Sequence, residues 1–194
     1  MTRVLDILVA AVALVVMSPV VLVAAVAIRL ESPGPVIYRH VRVGRHGEPF
    51  ELWKLRTMVQ GAERMGAGLY IEPGDARITR SGRVLRRFSL DELPNLVNVL
   101  RGDLSIVGPR PTVAEQVERY TPHQRRRLEV KPGITGWAQV NGRAALPWPE
   151  RIELDVWYVD HRSVLLDLRI LARTVRMLAS GRGLYSDELR QGWD

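Results

Sequence analysis

The residues best suited to chemistry are two adjacent carboxylates, Asp91 and Glu92, in the most basic part of the chain. Five arginines precede them within residues 77–87, and the turn Val107-Gly108-Pro109-Arg110-Pro111 follows them. Arginine side chains match phosphate oxygens with two parallel hydrogen bonds, and the flanking prolines restrict the orientation of Arg110. Because two carboxylates beside phosphate groups need a cation between them, the pattern predicts a phosphorylated ligand and a bound Mg²⁺.

The same carboxylate pair also has a purely structural interpretation. Ser89-Leu90-Asp91-Glu92 fits a capping box, in which Ser89 and Glu92 satisfy backbone N–H groups at the start of a helix. Pro94 fits that register poorly, because it would forfeit a hydrogen bond inside the helix, and it can instead begin the helix. In both arrangements the acids stand at a helix N-terminus, where the helix dipole favours their ionised forms.

A second polar segment is rich in turns. It contains Pro132-Gly133-Ile134-Thr135-Gly136-Trp137 and Asn141-Gly142-Arg143. Loops of this composition often line binding sites, since a rigid scaffold commonly presents functional residues on its connections. The alternative is an ordered loop that places Trp137 in the core, and composition does not decide between the two.

Composition excludes several classes of chemistry. The 194 residues include no cysteine, which removes disulfides, cysteine-ligated zinc, iron–sulfur clusters and thiol nucleophiles. The four histidines are scattered and show no metal-ligand spacing. The net charge is +7, and all but two of the 28 basic residues are arginine. The expected partner is therefore a phosphate group, an anionic membrane surface or a nucleic acid.

Residues 7–28 are apolar apart from Ser18 and Pro19 at the middle of the stretch. As a helix, a stretch of this length reaches roughly 33 Å and can cross a bilayer once. A secretory signal peptide is a second interpretation, because Arg3 precedes the apolar residues. A third is a re-entrant hairpin, in which Pro19 bends the helix at membrane depth and arginines flank both of its ends on one face.

After a linker at residues 31–35, which divides the chain into 1–30 and 31–194, the pattern predicts a mixed and mostly helical domain. Residues 36–43 and 50–58 predict a β-hairpin, and 60–75 a mobile loop. Helices are expected over 90–100, over 111–127 and near the C-terminus. The last helix has arginines on one face and apolar residues on the opposite face. This pattern indicates packing on the core or a position in the lipid headgroup plane. The apolar face comprises Val164, Leu168, Leu171, Val175 and Leu178.

Several long motifs occur in a fixed order: Lys54-Leu55-Arg56-Thr57-Met58, Ser89-Leu90-Asp91-Glu92-Leu93-Pro94-Asn95, Gly102-Asp103-Leu104-Ser105-Ile106-Val107-Gly108-Pro109-Arg110-Pro111, Lys131-Pro132-Gly133-Ile134-Thr135-Gly136-Trp137-Ala138-Gln139-Val140-Asn141-Gly142-Arg143 and Asp155-Val156-Trp157-Tyr158. Together they resemble the bacterial sugar transferases, also called monotopic phosphoglycosyl transferases. The resemblance runs from about Asp6 to about Leu178 and includes Ser18-Pro19. It does not extend to the tail at 182–194, whose role stays open.

For the fold, the resemblance implies an α+β, mostly helical protein. Residues 1–30 are expected to form a re-entrant membrane helix broken at Ser18-Pro19. Residues 31–194 are expected to form the catalytic domain on the cytoplasmic face of the bacterial inner membrane, with a small β-hairpin and amphipathic helices at the membrane interface.

For the activity, the resemblance implies transfer of a sugar-1-phosphate from a nucleotide sugar, usually UDP-linked, to a polyprenyl phosphate such as undecaprenyl phosphate. Asp91 is the expected nucleophile of a covalent phospho-sugar intermediate that forms as UMP leaves, and Asp91 and Glu92 are the expected Mg²⁺ ligands. The expected phosphate-binding residues are Arg86, Arg110, Lys54, Arg56 and Arg143. The reaction would begin assembly of a bacterial surface glycan such as exopolysaccharide or lipopolysaccharide.

A rival hypothesis from another class is a membrane-anchored basic adaptor that binds nucleic acid or acidic lipid without catalysis. It accounts for the anchor and the charge but gives Asp91 and Glu92 no purpose amid the arginines. We therefore expect membrane lipid and the two substrates as partners, with no nucleic acid and with homo-oligomers possible. The sequence does not identify the transferred sugar.

Overall fold

The computed structural model describes residues 2–65, 74–142 and 146–180, without the side chains of the last two residues. Arg143, the middle of the predicted loop at 60–75 and the tail at 182–194 lie outside the described residues. The remainder is a mostly helical α+β protein, as expected from the sequence, and it has a second small two-stranded sheet beside the predicted hairpin.

Helix α1 (Arg3–Glu31) is apolar and long enough to cross a membrane. Its backbone is helical on both sides of Pro19, so the predicted break is a proline inside one helix rather than a gap between two. The Ser18 hydroxyl donates to the Val15 carbonyl at 2.8 Å. This carbonyl is the one that Pro19, lacking an N–H, cannot bond.

Both ends of α1 are buried against the rest of the chain, whereas most of its middle is exposed. Near the start, Asp6 and Ala10 are buried, and near the end Ala24 and Ile28 are buried against Leu55 and Leu85. No residue of the helix between Ala10 and Ala24 is fully buried. Ala13, Leu14 and Val21 also pack against the core, so the helix contacts one body through both of its halves and leaves mainly residues 15–20 exposed.

Strands β1 (Ile37–Val43) and β2 (Pro49–Leu55) form the predicted antiparallel hairpin, with Ile37 opposite Leu55 and Val43 opposite Pro49. A 3₁₀ turn (Arg45–Gly47) connects the strands. In it His46 and Gly47 have φ angles of 59° and 88°, in the left-handed region. Such φ values are typical of tight hairpin connections, and glycine adopts them at little cost.

The predicted start of the helix over 90–100 is wrong. After α2 (Arg80–Arg87), a 3₁₀ turn (Leu90–Glu92) precedes α3 (Asn95–Arg101). Pro94 is the N-cap of α3, since it has no N–H to donate to an earlier turn. Ser89 makes no capping hydrogen bond and has a φ of 54°, so the capping box does not form. The acid pair lies just ahead of the helix, as the alternative interpretation of Pro94 requires.

The polar helix expected over 111–127 is also interrupted. It divides into α4 (Ala114–Glu118), α5 (Pro122–Arg125) and a 3₁₀ turn (Arg126–Leu128). The break occurs because Thr121 and Gln124 form a capping box at the start of α5 and Pro122 occupies the first position of that helix.

Two short strands form a parallel pair. Strand β3 (Ser105–Val107) pairs with β4 (Gly133–Thr135), and α6 (Trp137–Val140) follows directly. A Cβ atom added to Gly133 would stand 2.1 Å from the backbone nitrogen of Gly108. Only glycine allows the two segments to approach so closely.

Helices α7 (Trp148–His161) and α8 (Val164–Ser180) complete the chain that the structure describes. The buried stripe of α8 contains Leu166, Asp167 and Ile170, so the predicted apolar face does not coincide with it. Asp167 enters the core because Tyr158 donates a hydrogen bond to it at 2.7 Å, a contact that hydropathy periodicity cannot anticipate. Val164, Leu168 and Val175 are instead exposed, which favours the headgroup-plane interpretation of this helix.

Candidate active site

A polar cleft of about 200 Å³ lies between the hairpin, the start of α3 and the loop after β3. Its wall includes three cationic side chains, Arg42, Lys54 and Arg110, together with Glu92. The buried side-chain amide of Asn98 fixes α3 against β2. Its oxygen accepts from the backbone N–H of Trp53 at 3.1 Å, and its nitrogen donates to the Glu51 carbonyl at 2.7 Å. The hairpin and the acid pair therefore meet at a fixed distance.

Glu92 is held by two cations. Lys54 Nζ lies 2.7 Å and Arg110 Nη2 lies 3.0 Å from the same oxygen, Oε1. Burial alone would raise the pKa of Glu92, but the charges of Lys54 and Arg110 outweigh it and hold this pKa well below its usual range. Glu92 is therefore ionised at neutral pH, as predicted, although ion pairs rather than a helix dipole cause it.

Asp91 has a different environment. No side chain among the described residues donates a hydrogen bond to its carboxylate. Burial and the neighbouring charge of Glu92 raise the pKa of Asp91, while Lys54 and Arg86 oppose that rise. The expectation that a helix dipole lowers this pKa is wrong. The two adjacent carboxyls thus have pKa values shifted in opposite directions, an arrangement common where they have different tasks.

Arg86 and Arg110, both predicted to bind phosphate, lie next to the acid pair. The Arg86 Nε donates to Thr57 Oγ1 at 2.8 Å, and its charge acts on Asp91. Arg110 reaches Glu92 from the loop that follows β3. The structure therefore brings Asp91, Glu92, Lys54, Arg86 and Arg110 together.

Arg56 does not join this group, contrary to the prediction. Its two terminal nitrogens donate to the carbonyls of Ser32 and Pro33 at 2.7 and 2.6 Å, and it does not line the cleft. The reason is its place one residue beyond β2, where the side chain meets the linker that leaves α1. Arg56 anchors the linker, and Arg143 lies outside the described residues.

The sequence did not single out two polar residues that line the cleft. Asn95 is 4% exposed, and its Oδ1 accepts no hydrogen bond from the described residues. Arg42 Nε is likewise buried without an acceptor in the part of the chain described. Since buried polar atoms ordinarily have partners, both point to a bound ligand. Two sequence signals could have found them. Arg42 lies in the predicted strand β1, and Asn95 directly follows Pro94.

Arg110 is itself positioned by a buried cluster. Arg127 Nη2 donates to the Arg110 carbonyl at 2.9 Å and to Asp155 Oδ2 at 2.5 Å, and its Nη1 donates to the Tyr120 hydroxyl. Arg127 and Asp155 are 2% and 1% exposed. The sequence showed Arg127 only as one of three consecutive arginines, a pattern more typical of a solvated surface.

The turn-rich segment at 132–137 has both of its expected roles. Gly133 and Ile134 line the cleft. Trp137 packs against the core and stacks on Trp157 with ring centroids 5.0 Å apart. The two interpretations that composition left open therefore apply to different residues of the same segment.

The donor set is compatible with Mg²⁺. This ion is typically bound by one or two carboxylates and completes its coordination with phosphate oxygens and water. The Asp91 carboxylate has no side-chain donor, and only one Glu92 oxygen is bonded to the two cations among the described residues. No group of three acidic or histidine ligands occurs in the described residues, so a bound Mg²⁺ would take its other ligands from phosphate oxygens and water.

Lys54 and Arg56 are close in sequence yet differ in surroundings, which allows a paired test. We expect Lys54→Gln to lower kcat/KM by roughly 10–100-fold, because Glu92 loses a charged partner. Arg56→Gln should leave kcat/KM near the native value but lower stability by about 1–3 kcal/mol, since two carbonyls lose their donor. Steady-state rates and thermal unfolding of both variants check this. A larger kinetic effect for Arg56→Gln would contradict the assignment.

Comparison with known proteins places these observations in a family. A family model described as bacterial sugar transferase matches residues 1–181. The sugar transferase EpsL of Bacillus subtilis (strain 168) is 50% identical over 167 residues, which are 86% of this chain and 81% of the relative.

Two further relatives have names that state an activity. A UDP-N-acetylgalactosamine-undecaprenyl-phosphate N-acetylgalactosaminephosphotransferase of Aeromonas hydrophila is 43% identical over 187 residues, covering 93% of this chain and 44% of the relative. A UDP-glucose:undecaprenyl-phosphate glucose-1-phosphate transferase of Caulobacter vibrioides is 43% identical over 194 residues, covering 94% and 71%. The chain thus spans less than half of the Aeromonas protein.

Proposed function

The chain belongs to the bacterial sugar transferase family, and from this premise we propose that it is a phosphoglycosyl transferase acting on a UDP-sugar and undecaprenyl phosphate. It transfers the sugar-1-phosphate to the lipid and releases UMP, as the first membrane step of a bacterial surface glycan. The contact of Lys54 and Arg110 with one oxygen of Glu92, beside an Asp91 to which no side chain of the described residues donates, carries the proposal.

In the first half-reaction, a carboxylate oxygen of Asp91 attacks the sugar-linked phosphorus. A bond forms between this oxygen and phosphorus while the bond from phosphorus to the bridging oxygen breaks, and UMP leaves with that electron pair. Because a carboxylate is already a nucleophile when ionised, no separate base is required. The enzyme is left with a phospho-sugar joined to the Asp91 carboxylate as an acyl phosphate.

In the second half-reaction, a phosphate oxygen of the polyprenyl phosphate attacks the same phosphorus. The bond to Asp91 breaks, which restores the carboxylate and yields a lipid-linked diphosphate sugar. The cationic wall of the cleft, with Arg42 and Arg110, opposes the negative charge of the phosphates, and Arg86 acts beside Asp91. A Mg²⁺ held by Asp91 and Glu92 would neutralise charge on the diphosphate and the departing oxygen.

A panel of nucleotide sugars tests the function and identifies the donor. The protein is incubated with undecaprenyl phosphate and each donor, and release of the nucleoside monophosphate is measured. We expect UMP from one or a few UDP-sugars, only in the presence of Mg²⁺. Tight binding of nucleic acid that weakens steeply with salt, without UMP from any donor, would favour the basic adaptor instead.

We propose further that residues 1–30 are a monotopic membrane anchor and residues 31–194 the catalytic domain. A straight helix of this length reaches roughly 43 Å, and a spanning helix would separate its ends by a bilayer. Yet Arg3 donates to the Leu100 carbonyl at 2.8 Å, and Glu31 accepts from the backbone N–H groups of Arg80 and Ser81 at 2.6 and 2.8 Å. Contacts at both ends with one body support an anchor that enters and leaves by one face, with the catalytic domain in the cytoplasm.

Cysteine labelling tests this topology on a background without cysteine. Single variants Thr2→Cys and Arg119→Cys report the start of α1 and an exposed site on the catalytic domain. We expect an impermeant maleimide to label neither in intact cells and both after permeabilisation. Ser18→Ala with Pro19→Ala removes a helix penalty of roughly 3 kcal/mol and should expose part of the Thr2→Cys population. Labelling of Thr2→Cys alone from outside, with Ser18 and Pro19 intact, would mean an ordinary span.

A further inference from the structure

A second and larger cavity, of about 510 Å³, lies away from the acid pair. It is bounded by the start of α1, the start of β4 and the turn between α7 and α8. It shares no lining residue with the catalytic cleft, although both border the β3–β4 pair. Four cations line it: Arg3, Arg45, Lys131 and Arg162.

The carboxylates of the cavity are engaged by other donors, although the charge of Asp6 does act on Lys131. Asp6 is buried and accepts from Ser105 Oγ and from the Ile106 N–H at 3.0 Å, and Asp167 accepts from Tyr158. Among the described residues, no carboxylate oxygen lies within ion-pair distance of the four cations. Among the described residues, the side chains of Arg3 and Arg45 donate only to backbone carbonyls, and those of Lys131 and Arg162 make no hydrogen bond.

Two of the cations also converge. A Cβ placed on Gly102 would stand 3.4 Å from Arg3 Nη2 and 3.5 Å from Lys131 Nζ, so both nitrogens approach one point. Burial and then the charge of Arg3 lower the pKa of Lys131, and the charges of Asp6 and Asp103 oppose this only in part. Like charges held together in a cavity repel one another until an anion lies between them, and phosphate suits both an ammonium and a guanidinium.

The surroundings of the cavity indicate what carries the phosphate. Val164 lines the cavity itself and is 49% exposed, and Leu165, next to it, is 78% exposed. On the other side, Val4 and Leu8 of α1 are exposed just beyond Arg3. A cationic cavity between two exposed apolar helix surfaces matches a lipid with a charged headgroup and acyl chains.

We propose that this cavity binds the headgroup of an anionic phospholipid, with Arg3, Lys131, Arg45 and Arg162 around the phosphate and the acyl chains along α1 and α8. The assignment rests on the proposed membrane association of α1. Bound lipid would stabilise the docked start of α1, where Asp6 and Arg3 contact β3 and α3. The site is separate from the catalytic cleft and is distinct from binding of the lipid substrate there.

Lipid counting by native mass spectrometry tests the site without requiring turnover, so its outcome is independent of the proposed reaction. The full chain is released from nanodiscs of equal phosphatidylglycerol and phosphatidylcholine. We expect one phosphatidylglycerol to be retained in preference to phosphatidylcholine. Lys131→Gln with Arg162→Gln should reduce the preference by about fivefold for each residue, the change that about 1 kcal/mol per basic residue gives.

A matched variant, Arg83→Gln with Arg119→Gln, removes two exposed arginines outside the cavity and should keep the preference. An equal loss in this control, or no preference in the native protein, would overturn the proposal.

A final arm of the experiment adds inorganic phosphate or UMP. Displacement of the lipid by millimolar phosphate would assign the cavity to a free anion instead, whereas retention supports the lipid. Thermal unfolding confirms that both double variants are folded.

Discussion

Asp91→Asn should reduce UMP release by about 10⁴-fold or more, because an amide oxygen cannot replace the carboxylate as nucleophile. Glu92→Gln should be severely impaired as well, since it loses the charge that Lys54 and Arg110 contact at 2.7 and 3.0 Å. Its dependence on Mg²⁺ should also shift to higher concentrations. Both substitutions preserve side-chain size, so these effects report on charge and chemistry rather than on packing. The measurement is UMP release with saturating donor and acceptor over a range of Mg²⁺ concentrations.

Asp160→Asn is the matched control for Asp91→Asn. Asp160 pairs with Arg126 at the surface and is not among the residues that line the cleft. Surface ion pairs contribute little, so this variant should retain native activity and unfold within about 1 kcal/mol of the native protein. Turnover by Asp91→Asn at a rate close to that of Asp160→Asn would rule out Asp91 as nucleophile.

The largest effect on stability is expected at the buried pair of Arg127 and Asp155. Asp155→Asn leaves the Arg127 charge buried without a counterion, which should cost about 3–5 kcal/mol. For a chain of this size the thermal midpoint should fall by roughly 6–20 °C. Removal of both charges, as Arg127→Met with Asp155→Leu, should recover most of that stability, because buried pairs are often replaceable by apolar residues.

Activity should not recover in the double variant, which separates positioning from folding. The Arg110 carbonyl loses the donor that held it at 2.9 Å, so Arg110 no longer meets Glu92 in a fixed geometry. We expect kcat to fall by roughly 10–100-fold with a smaller change in the KM for the donor. A double variant that is both stable and fully active would show that Arg127 has only a structural role.

Local sequence patterns were sufficient for much of the fold and for the centre of the site. The hairpin was predictable because β-branched residues flank a glycine-containing turn, although its second strand ends at Leu55 and not at residue 58. The position of the acid pair ahead of α3 follows from one local fact, the missing N–H of Pro94. The fixed orientation of Arg110 was predictable because prolines flank this residue.

What the sequence did not predict depends on contacts between distant segments. Arg56 and Lys54 look equivalent in sequence, but only the structure shows that Arg56 meets the carbonyls of Ser32 and Pro33. Asp167 lies in the core through a partner on another helix. The raised pKa of Asp91 depends on burial, which periodicity does not give.

The covalent phospho-sugar on Asp91 is the central claim, and intact-mass analysis of the enzyme with donor alone tests it most directly. With the correct UDP-sugar, Mg²⁺ and no acceptor, we expect the protein mass to increase by one sugar phosphate. Peptide mapping should place the adduct on Asp91, and addition of undecaprenyl phosphate should discharge it. An unmodified protein that releases UMP only when donor and acceptor are both present would contradict the claim and indicate direct transfer in a ternary complex.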